Sequence, residues 1–427
     1  MPVSRSFHPR LLHRRLAAHG GRPEWLVAYS GGLDSTVLLH VLAGLRSRPP
    51  LRALHVHHGL LPEAEAWTRH CRAQARELGV VLEVLRVDAA PPPGASPEAA
   101  ARRARYAALR AHMRPGSALF VAHHADDQAE TVLLQLLRGA GPRGLSGMPA
   151  EVPFGVGCLV RPLLEWPRAA LAAYAEAEGL SWVEDPSNRD PRVDRSFLRM
   201  EILPRMRARW PSLARTLGRA AVLQAEAAEI LERDARVCLS EVAGPRPGTL
   251  SASRLLALPR AHGANLVQQW IRSRGLPVPG RARLERILDD VAAARADAQP
   301  CVRWPGGEVR RYRDALYALR PLPELTERLW RWDQRAPLPL PALGITLSRE
   351  ALLAAGFELP PPEIPLEVRL RRGGERCALG GSPRRRPLGK YFQEAGIPPW
   401  ERDRMPLIYA GDRLLGVVGL GPCRGEG

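Results

Sequence analysis

The sequence predicts an α/β protein: a doubly wound, mostly parallel sheet, then a mainly helical middle domain, then a small α+β C-terminal domain. Three observations lead there. Short apolar runs alternate with helix-period stretches as far as about Trp210, a long helical pattern follows, and the tail returns to short strands. Strands separated by helices make βαβ units, and their crossovers force parallel pairing.

Trp25–Ser30 (WLVAYS) reads as the first strand, Leu51–His57 as the second, Val80–Asp88 as the third and Ala118–Ala122 as the fourth. The helices between them fall at Thr36–Arg46, Glu63–Leu78 and Pro97–Met113. Next comes a long helix from Ser212 to Leu239, with Leu213, Leu217, Ala220, Leu223, Ala227 and Ile230 on one face. Two further helices are expected at Ala264–Arg274 and Arg281–Ala296. Pro305-Gly306-Gly307 turns between two short apolar runs and predicts a hairpin. Pro337-Leu-Pro-Leu-Pro341 reads as a stiff linker or boundary. In the tail, Leu366–Leu370, Leu407–Ala410 and Leu414–Leu420 are strands, with one short helix near Gly389–Ala395. Domains are therefore drawn at 1–211, 212–340 and 341–427.

The length supports that division, because 427 residues exceed the roughly 150 of one typical domain. With 45% apolar residues and a mean hydropathy of −0.21, the chain can build cores and is not a disordered tail. No stretch reaches the ~18 uninterrupted apolar residues of a membrane span. Met1–Gly20 carries basic residues and no continuous apolar segment, so no secretory signal is expected. Cys71, Cys158, Cys238, Cys301, Cys377 and Cys423 lie far apart with no CxxC, which predicts reduced, structural thiols and a cytoplasmic protein.

The net charge is +18, and of 62 basic residues Lys390 is the sole lysine. A GC-rich coding sequence accounts for arginine over lysine, but not for the excess of base over acid. That excess is +8 in 1–211, +7 in 212–340 and +3 in 341–427. A surplus spread over the whole chain predicts a long polyanion as partner, nucleic acid before a membrane surface.

The strongest motif is Ser30-Gly31-Gly32-Leu33-Asp34-Ser35, between a strand and a helix. Two glycines allow a tight turn and close approach of backbone to ligand. The N–H groups, the serine hydroxyls and the helix start form an anion cradle, and Asp34 is placed to hold Mg²⁺ against phosphate. No GxxxxGK[ST] occurs, so this is not a Walker loop. His55-Val56-His57-His58-Gly59 ends the second strand and Ala122–Thr131 (AHHADDQAET) ends the fourth. Ligands bind beyond the carboxyl ends of parallel strands, so all three motifs are expected at one rim. Five of the twelve histidines sit in these segments, which leaves a zinc or di-metal hydrolase as the competing reading.

These residues resemble the N-type ATP pyrophosphatases, and more specifically the tRNA(Ile)-lysidine synthases. The likeness runs through HVHHGL with Trp67 and His70-Cys71, Ala101-Arg102, Arg105-Tyr106, AHHADDQAET, Leu136–Gly139 (LLRG), Gly144–Met148, Arg161–Leu164 and Glu184–Asn188. It continues in the tail through Arg372–Arg376 and Phe392–Arg404. One departure is Ser196 in Arg195-Ser-Phe-Leu-Arg199, where the family has Asn.

The resemblance implies a two-step ligation with ATP and Mg²⁺. ATP adenylates the carbonyl oxygen at carbon 2 of the wobble cytidine in tRNA(Ile) with a CAU anticodon, releasing pyrophosphate. Free L-lysine then attacks carbon 2 and expels AMP, and the product base, lysidine, reads AUA instead of AUG. Ser30, Gly31, Gly32, Leu33, Asp34 and Ser35 would bind ATP, with Asp34 as the metal ligand. Asp127 and Glu130, three apart on one helix face, would position the lysine ammonium and help it lose a proton; helix capping is the other use of Asp126 and Asp127. Residues 189–209 hold seven arginines against three acids, and 369–386 hold seven against Glu375 alone. Arg195, Arg199, Arg384, Arg385 and Arg386 are the expected tRNA contacts, and Arg102 and Arg105 are candidates for phosphate. Trp400, Tyr391 and Phe392 are placed in the core rather than on bases. No membrane partner is expected, and a homodimer stays open.

Three rivals are weighed. A tRNA thiolase needs a cysteine pair or an iron–sulfur site to carry sulfur, and the sequence shows no CxxC or close cysteine pair. A small-molecule amidotransferring ligase needs neither +18 nor an arginine-rich tail. A non-catalytic tRNA-binding module does not need an intact SGGLDS.

Overall fold

The computed structural model describes residues 7–59, 63–88, 90, 97–184, 192–295, 298–379 and 384–423. The chain divides into two compact units, 1–232 and 233–427.

The first unit opens with α1 (Pro9–Leu16), whose Leu12 and Leu16 are buried. Then β1 (Trp25–Ala28), α2 (Leu33–Ala43), β2 (Leu51–His57), α3 (Ala64–Glu77), β3 (Val81–Arg86), α4 (Pro97–Ala111), β4 (Ala118–Phe120) and α5 (Ala125–Leu137) alternate as expected. A short α6 (Pro142–Leu145) leads to a hairpin of β5 (Glu151–Phe154) and β6 (Gly157–Val160), and α7 (Arg168–Ala177) follows. Six strands form one sheet in the order β3-β2-β1-β4-β6-β5. All neighbours are parallel except β5, which runs antiparallel to β6 at the edge. Apolar side chains cover both faces. Trp25, Val27, Phe120 and Val160 pack with α1, α2 and α7 on one side, and Leu26, Leu54, Leu119 and Leu159 face Leu109 of α4 and Met113 just beyond it on the other. Strands buried on both faces read as continuous apolar runs, which is why WLVA and ALF were legible. The sheet aims the ends of β1, β2 and β4 at one rim.

The unit continues through α8 (Asp194–Phe197), a π-helical turn (Leu198–Ile202) and α9 (Leu203–Arg209) into α10 (Leu213–Glu241). The expected apolar face of α10 is only partly the buried one. Leu213, Ala221, Ala228 and Ala235 are buried at seven- and eight-residue spacing, while Leu223 and Ile230 are each 64% exposed.

In the second unit, β7 (Leu250–Ser251), α11 (Ala252–Ala257), α12 (Arg260–Ser273) and α13 (Arg281–Arg286), extended by a π-helical turn (Ile287–Ala292), precede β8 (Cys301–Trp304), β9 (Gly307–Tyr312) and β10 (Ala315–Leu319). β8 and β9 are the hairpin expected around Pro305–Gly307, within a four-stranded sheet ordered β7-β10-β9-β8. β11 (Leu329–Trp332), β12 (Leu338–Leu340), β13 (Ile345–Leu347), α14 (Arg349–Ala354), β14 (Leu366–Leu370), β15 (Arg376–Cys377), β16 (Arg386–Pro387), α15 (Leu388–Glu394), α16 (Pro399–Arg402), β17 (Pro406–Ala410), β18 (Arg413–Val417) and β19 (Gly421–Pro422) complete it. A five-stranded sheet runs β11-β14-β17-β18-β19.

Two expectations are corrected here. Pro337–Pro341 is not a stiff linker outside the fold: Leu338–Leu340 pairs antiparallel with Ile345–Leu347, and Leu340 is buried. Its middle residue, Pro339, is tolerated because the ladder has only two strands and so leaves an open edge. Nor are all six thiols reduced, because Cys377 and Cys423, though 46 residues apart in sequence, are joined as a disulfide. Among the described residues no helix is long and apolar enough to cross a membrane.

Candidate active site

The turn from β1 into α2 is held by its own side chains. The Ser30 N–H donates to Ser35 Oγ at 3.2 Å, the two serine hydroxyls lie 3.1 Å apart, Gly32 N–H donates to Ser30 Oγ at 3.3 Å, and Ser35 Oγ donates to the Gly32 carbonyl at 3.0 Å. Gly31 takes φ +82°, and a Cβ there would stand 2.7 Å from Cys71 Sγ. Only glycine meets both demands. The Gly31 carbonyl also accepts the Val183 N–H at 2.9 Å, which stitches a distant segment to the loop. Asp34 lies in the first turn of α2, where the helix dipole favours a carboxylate.

At the next rim position, His124 caps α5. Its Nδ1 accepts from the N–H groups of Asp126 and Asp127, and Asp127 Oδ2 accepts the His124 N–H at 3.1 Å, a capping box built with histidine. His124 Nε2 lies 3.6 Å from Asp34 Oδ2 and 3.4 Å from Asp127 Oδ2, so one ring joins the phosphate-type loop to the acids of α5. Burial alone would push the His124 pKa down, but the bond to Asp34 and the fields of Asp127, Asp34 and Asp126 raise it. The capping bonds oppose a second proton, since a protonated Nδ1 would face two N–H donors; the proton sits on Nε2, toward the carboxylates.

Glu130 is fully buried, one turn beyond Asp127. Arg199 grips it with two bonds, Nε to Oε1 at 2.6 Å and Nη2 to Oε2 at 2.9 Å, and reaches Asp127 Oδ1 at 3.1 Å. Arg195 Nε lies 3.1 Å from Glu130 Oε2, and its Nη2 donates to Thr131 at 2.9 Å. Burial alone would raise the Asp127 carboxyl, but His124, His123, the His124 N–H and Arg199 together hold it below the usual range. His123 is pushed by burial down to about 4, and its Nδ1 is buried without a partner. Asp126, also buried, accepts the Arg168 backbone N–H at 2.6 Å and Arg207 Nη2 at 2.6 Å. The Arg168 side chain lies 3.8 Å from Asp34.

Every expected residue of SGGLDS and the pair Asp127–Glu130 therefore meet at one rim. Arg195 and Arg199 meet there too, turned onto the acids. Sequence reasoning offered Asp126 only a capping use and His124 only a place in the rim motif, and gave no role to Arg168 or Arg207; the arginine-rich run 189–209 was the one signal for the last. The second histidine motif is mostly structural. His55 bonds the Tyr29 carbonyl at 3.0 Å and Thr68 at 3.1 Å, beneath the loop. Arg105 donates to His58 at 3.4 Å, and Arg102 stacks on Tyr106. Residues 185–188 of the Glu184–Asn188 motif lie outside the described residues. In the second unit Arg384 and Arg385 are exposed, and Arg386 stacks on Tyr391 and pairs with Glu394. Phe392 and Trp400 are in the core.

The hydrolase reading finds no support at the rim. Among the described residues, the His/Cys/Asp/Glu trio close enough to share a metal is His19, Glu151 and Cys158, none of them in either histidine motif. Asp34 does fit a magnesium ion that accompanies a nucleotide: its Oδ1 is a buried acceptor with no partner, beside a turn that a Cβ would fill.

Residues 9–206 match a family model described as a PP-loop domain, 250–317 one described as TilS substrate binding domain, and 366–426 one described as TilS substrate C-terminal domain. A tRNA(Ile)-lysidine synthase of Alkalilimnicola ehrlichii is 49% identical over 97% of this chain and 94% of that protein. Those of Methylococcus capsulatus and Yersinia pseudotuberculosis are 45% and 40% identical, over 95% and 96% of this chain and 93% and 94% of theirs.

Proposed function

Because the chain belongs to the tRNA(Ile)-lysidine synthase family, a family of ATP-using ligases, we propose that it joins free lysine to carbon 2 of the wobble cytidine of CAU-anticodon tRNA(Ile). In this reading ATP first adenylates the carbonyl oxygen at carbon 2 and pyrophosphate leaves. The lysine amine then attacks carbon 2 and AMP leaves, and the modified base reads AUA rather than AUG.

The site supplies what each step requires. Departing pyrophosphate concentrates charge, and fixed donors stabilise it without reorganising. Ser30, Ser35 and the N–H groups of the loop are those donors. Mg²⁺, when bound, adds charge neutralisation on the phosphates, and Asp34 is the residue to hold it. A cationic amine needs carboxylates, and Asp127 and Glu130 provide them. Arg199 already occupies both, so the lysine ammonium has to share or displace a guanidinium, which favours a ligand that makes further contacts. Arg195 and Arg199 then stand where the wobble base enters, and Arg384, Arg385 and Arg386 hold tRNA phosphates. The division of labour follows the three parts 1–211, 212–340 and 341–427, with chemistry in the first. We place the protein in the cytoplasm, where its RNA substrate is.

The observation that carries this reading is His124 Nε2, 3.6 Å from Asp34 and 3.4 Å from Asp127, which makes the phosphate loop and the acid pair one site. It also weighs against sulfur transfer: Cys71, the cysteine beside the loop, is a single thiol pushed by burial up to about 12. The test is pyrophosphate release from ATP with each substrate withheld in turn. Release that requires the CAU-anticodon tRNA supports the reading, and release with no RNA present contradicts it.

A further inference from the structure

Four of the six cysteines are single thiols, while Cys377 and Cys423 form a pair with Cα atoms 5.6 Å apart. Their settings differ. Cys377 is 1% exposed, packed among Leu379, Leu388, Phe392 and Leu407, whereas Cys423 is partly exposed beside β19. Across the β15–β16 ladder, Cys377 stands opposite Arg386 and Arg376 opposite Pro387. Arg376 Nη2 donates to the Arg385 carbonyl at 3.0 Å. β16, which carries Arg386 at the end of the arginine run, is therefore held by a ladder of two residue pairs, one of which contains a proline with no N–H to give. Such a ladder is marginal by itself.

We propose that Cys377 and Cys423 are a thiol-modification site whose disulfide fixes the β15–β16 ladder and thereby the presentation of Arg384, Arg385 and Arg386 to tRNA. This rests on the tRNA contact proposed above for those arginines. The reaction is thiol–disulfide exchange with a low-molecular-weight disulfide such as oxidised glutathione. The partly exposed Cys423 thiolate attacks one glutathione sulfur, the glutathione S–S bond breaks, and a glutathione thiolate leaves. The Cys377 thiolate then attacks Cys423 Sγ in the mixed disulfide and releases the second glutathione. Two protein thiols lose two protons and two electrons, and one glutathione disulfide becomes two thiols. The other four cysteines form no disulfide, and burial pushes Cys71 and Cys158 up to about 12 and about 11, where little thiolate exists near neutral pH.

The experiment uses the full chain equilibrated with oxidised glutathione or with dithiothreitol. Acid quenching, denaturation, alkylation and intact mass then count the thiols, and tRNA affinity is measured on both samples. Four alkylated thiols are expected after oxidation and six after reduction. The oxidised protein is expected to bind tRNA about fivefold or more tightly than the reduced one, and a C377S/C423S variant to match the reduced protein under both conditions. Six free thiols after oxidation, or equal affinity in the two states, overturns the proposal. Replacing Arg384, Arg385 and Arg386 with Ala separates the layers. If that variant binds tRNA like wild type in both states, the tRNA contact itself is wrong; if it binds weakly while the wild type ignores redox state, only the switch is wrong.

Discussion

Glu130 is a carboxylate with no exposed surface, and two arginines compensate it. Buried charges persist only when paired and hydrogen-bonded. Glu130→Gln and Asp127→Asn should therefore raise the KM for lysine by about tenfold, the worth of one charge-assisted hydrogen bond, while the KM for ATP changes little. Kinetics in which only the ATP value moves would reassign both acids to the nucleotide. His123 gives a second prediction. It takes a proton near pH 6.5 when unfolded but only near about 4 when folded. As pH falls through that window the unfolded chain gains the proton first, so stability is lost. Between pH 7 and 4.5 this single group should account for about 2 kcal/mol of the loss. Urea unfolding of His123→Asn should show a correspondingly flatter decline; identical declines would show that His123 titrates normally in the fold. At this scale the sequence placed Asp34, Asp127 and Glu130 at a common rim, where the structure also has them, because spacing and a strand–turn–helix setting constrain them. It did not identify the grip of Arg199, since a contact between residues 69 apart leaves no local pattern.

The helices matter because of what they carry to the rim. α8, the π-helical turn and α9 form one run that brings Arg195 and Arg199 onto α5, and Arg207 fastens its far end to Asp126. Asp126 also caps the start of α7 through the Arg168 N–H. Releasing that tether should let the run drift from the acids. Arg207→Gln is expected to raise the lysine KM several-fold and leave the ATP KM alone, with Arg207→Lys partly restoring it; an unchanged lysine KM would reduce the pair to surface decoration. Most elements of the first unit were legible, because strands buried on both faces and helices of steady period leave strong patterns. The β5–β6 hairpin was not read. Pro153 argues against a strand, and only its place at the edge of the sheet makes it tolerable. Pro339 in β12 misled for the same reason. On α10 the apolar period was real, but the buried seam runs through alanines, and the larger Leu223 and Ile230 face outward.

Charge belongs to the whole molecule. The surplus of +18 is spread over both units, so RNA affinity should be distributed rather than owned by the site. Each phosphate neutralised releases counterions, and affinity falls with salt by roughly 0.7 to 0.9 log units per contact. Replacing Arg384, Arg385 and Arg386 with Ala should weaken tRNA binding and flatten the log–log salt slope by about 1 to 3 units. Adenylation at saturating tRNA should survive. An unchanged slope would mark the run as solvated surface, and a lost kcat would mean that this part helps assemble the active site. The pairing of Cys377 with Cys423 was illegible for the reason Arg199 was: a distance of 46 residues closed only by the fold. The central claim, that this chain attaches lysine to a cytidine, is tested most directly by mass analysis of the RNA. A CAU-anticodon tRNA(Ile) transcript incubated with ATP, lysine and the protein should gain the mass of lysine less water on the wobble cytidine, and no gain should occur with Asp34→Asn. An unmodified wobble cytidine after turnover of ATP by the wild-type protein would contradict the account.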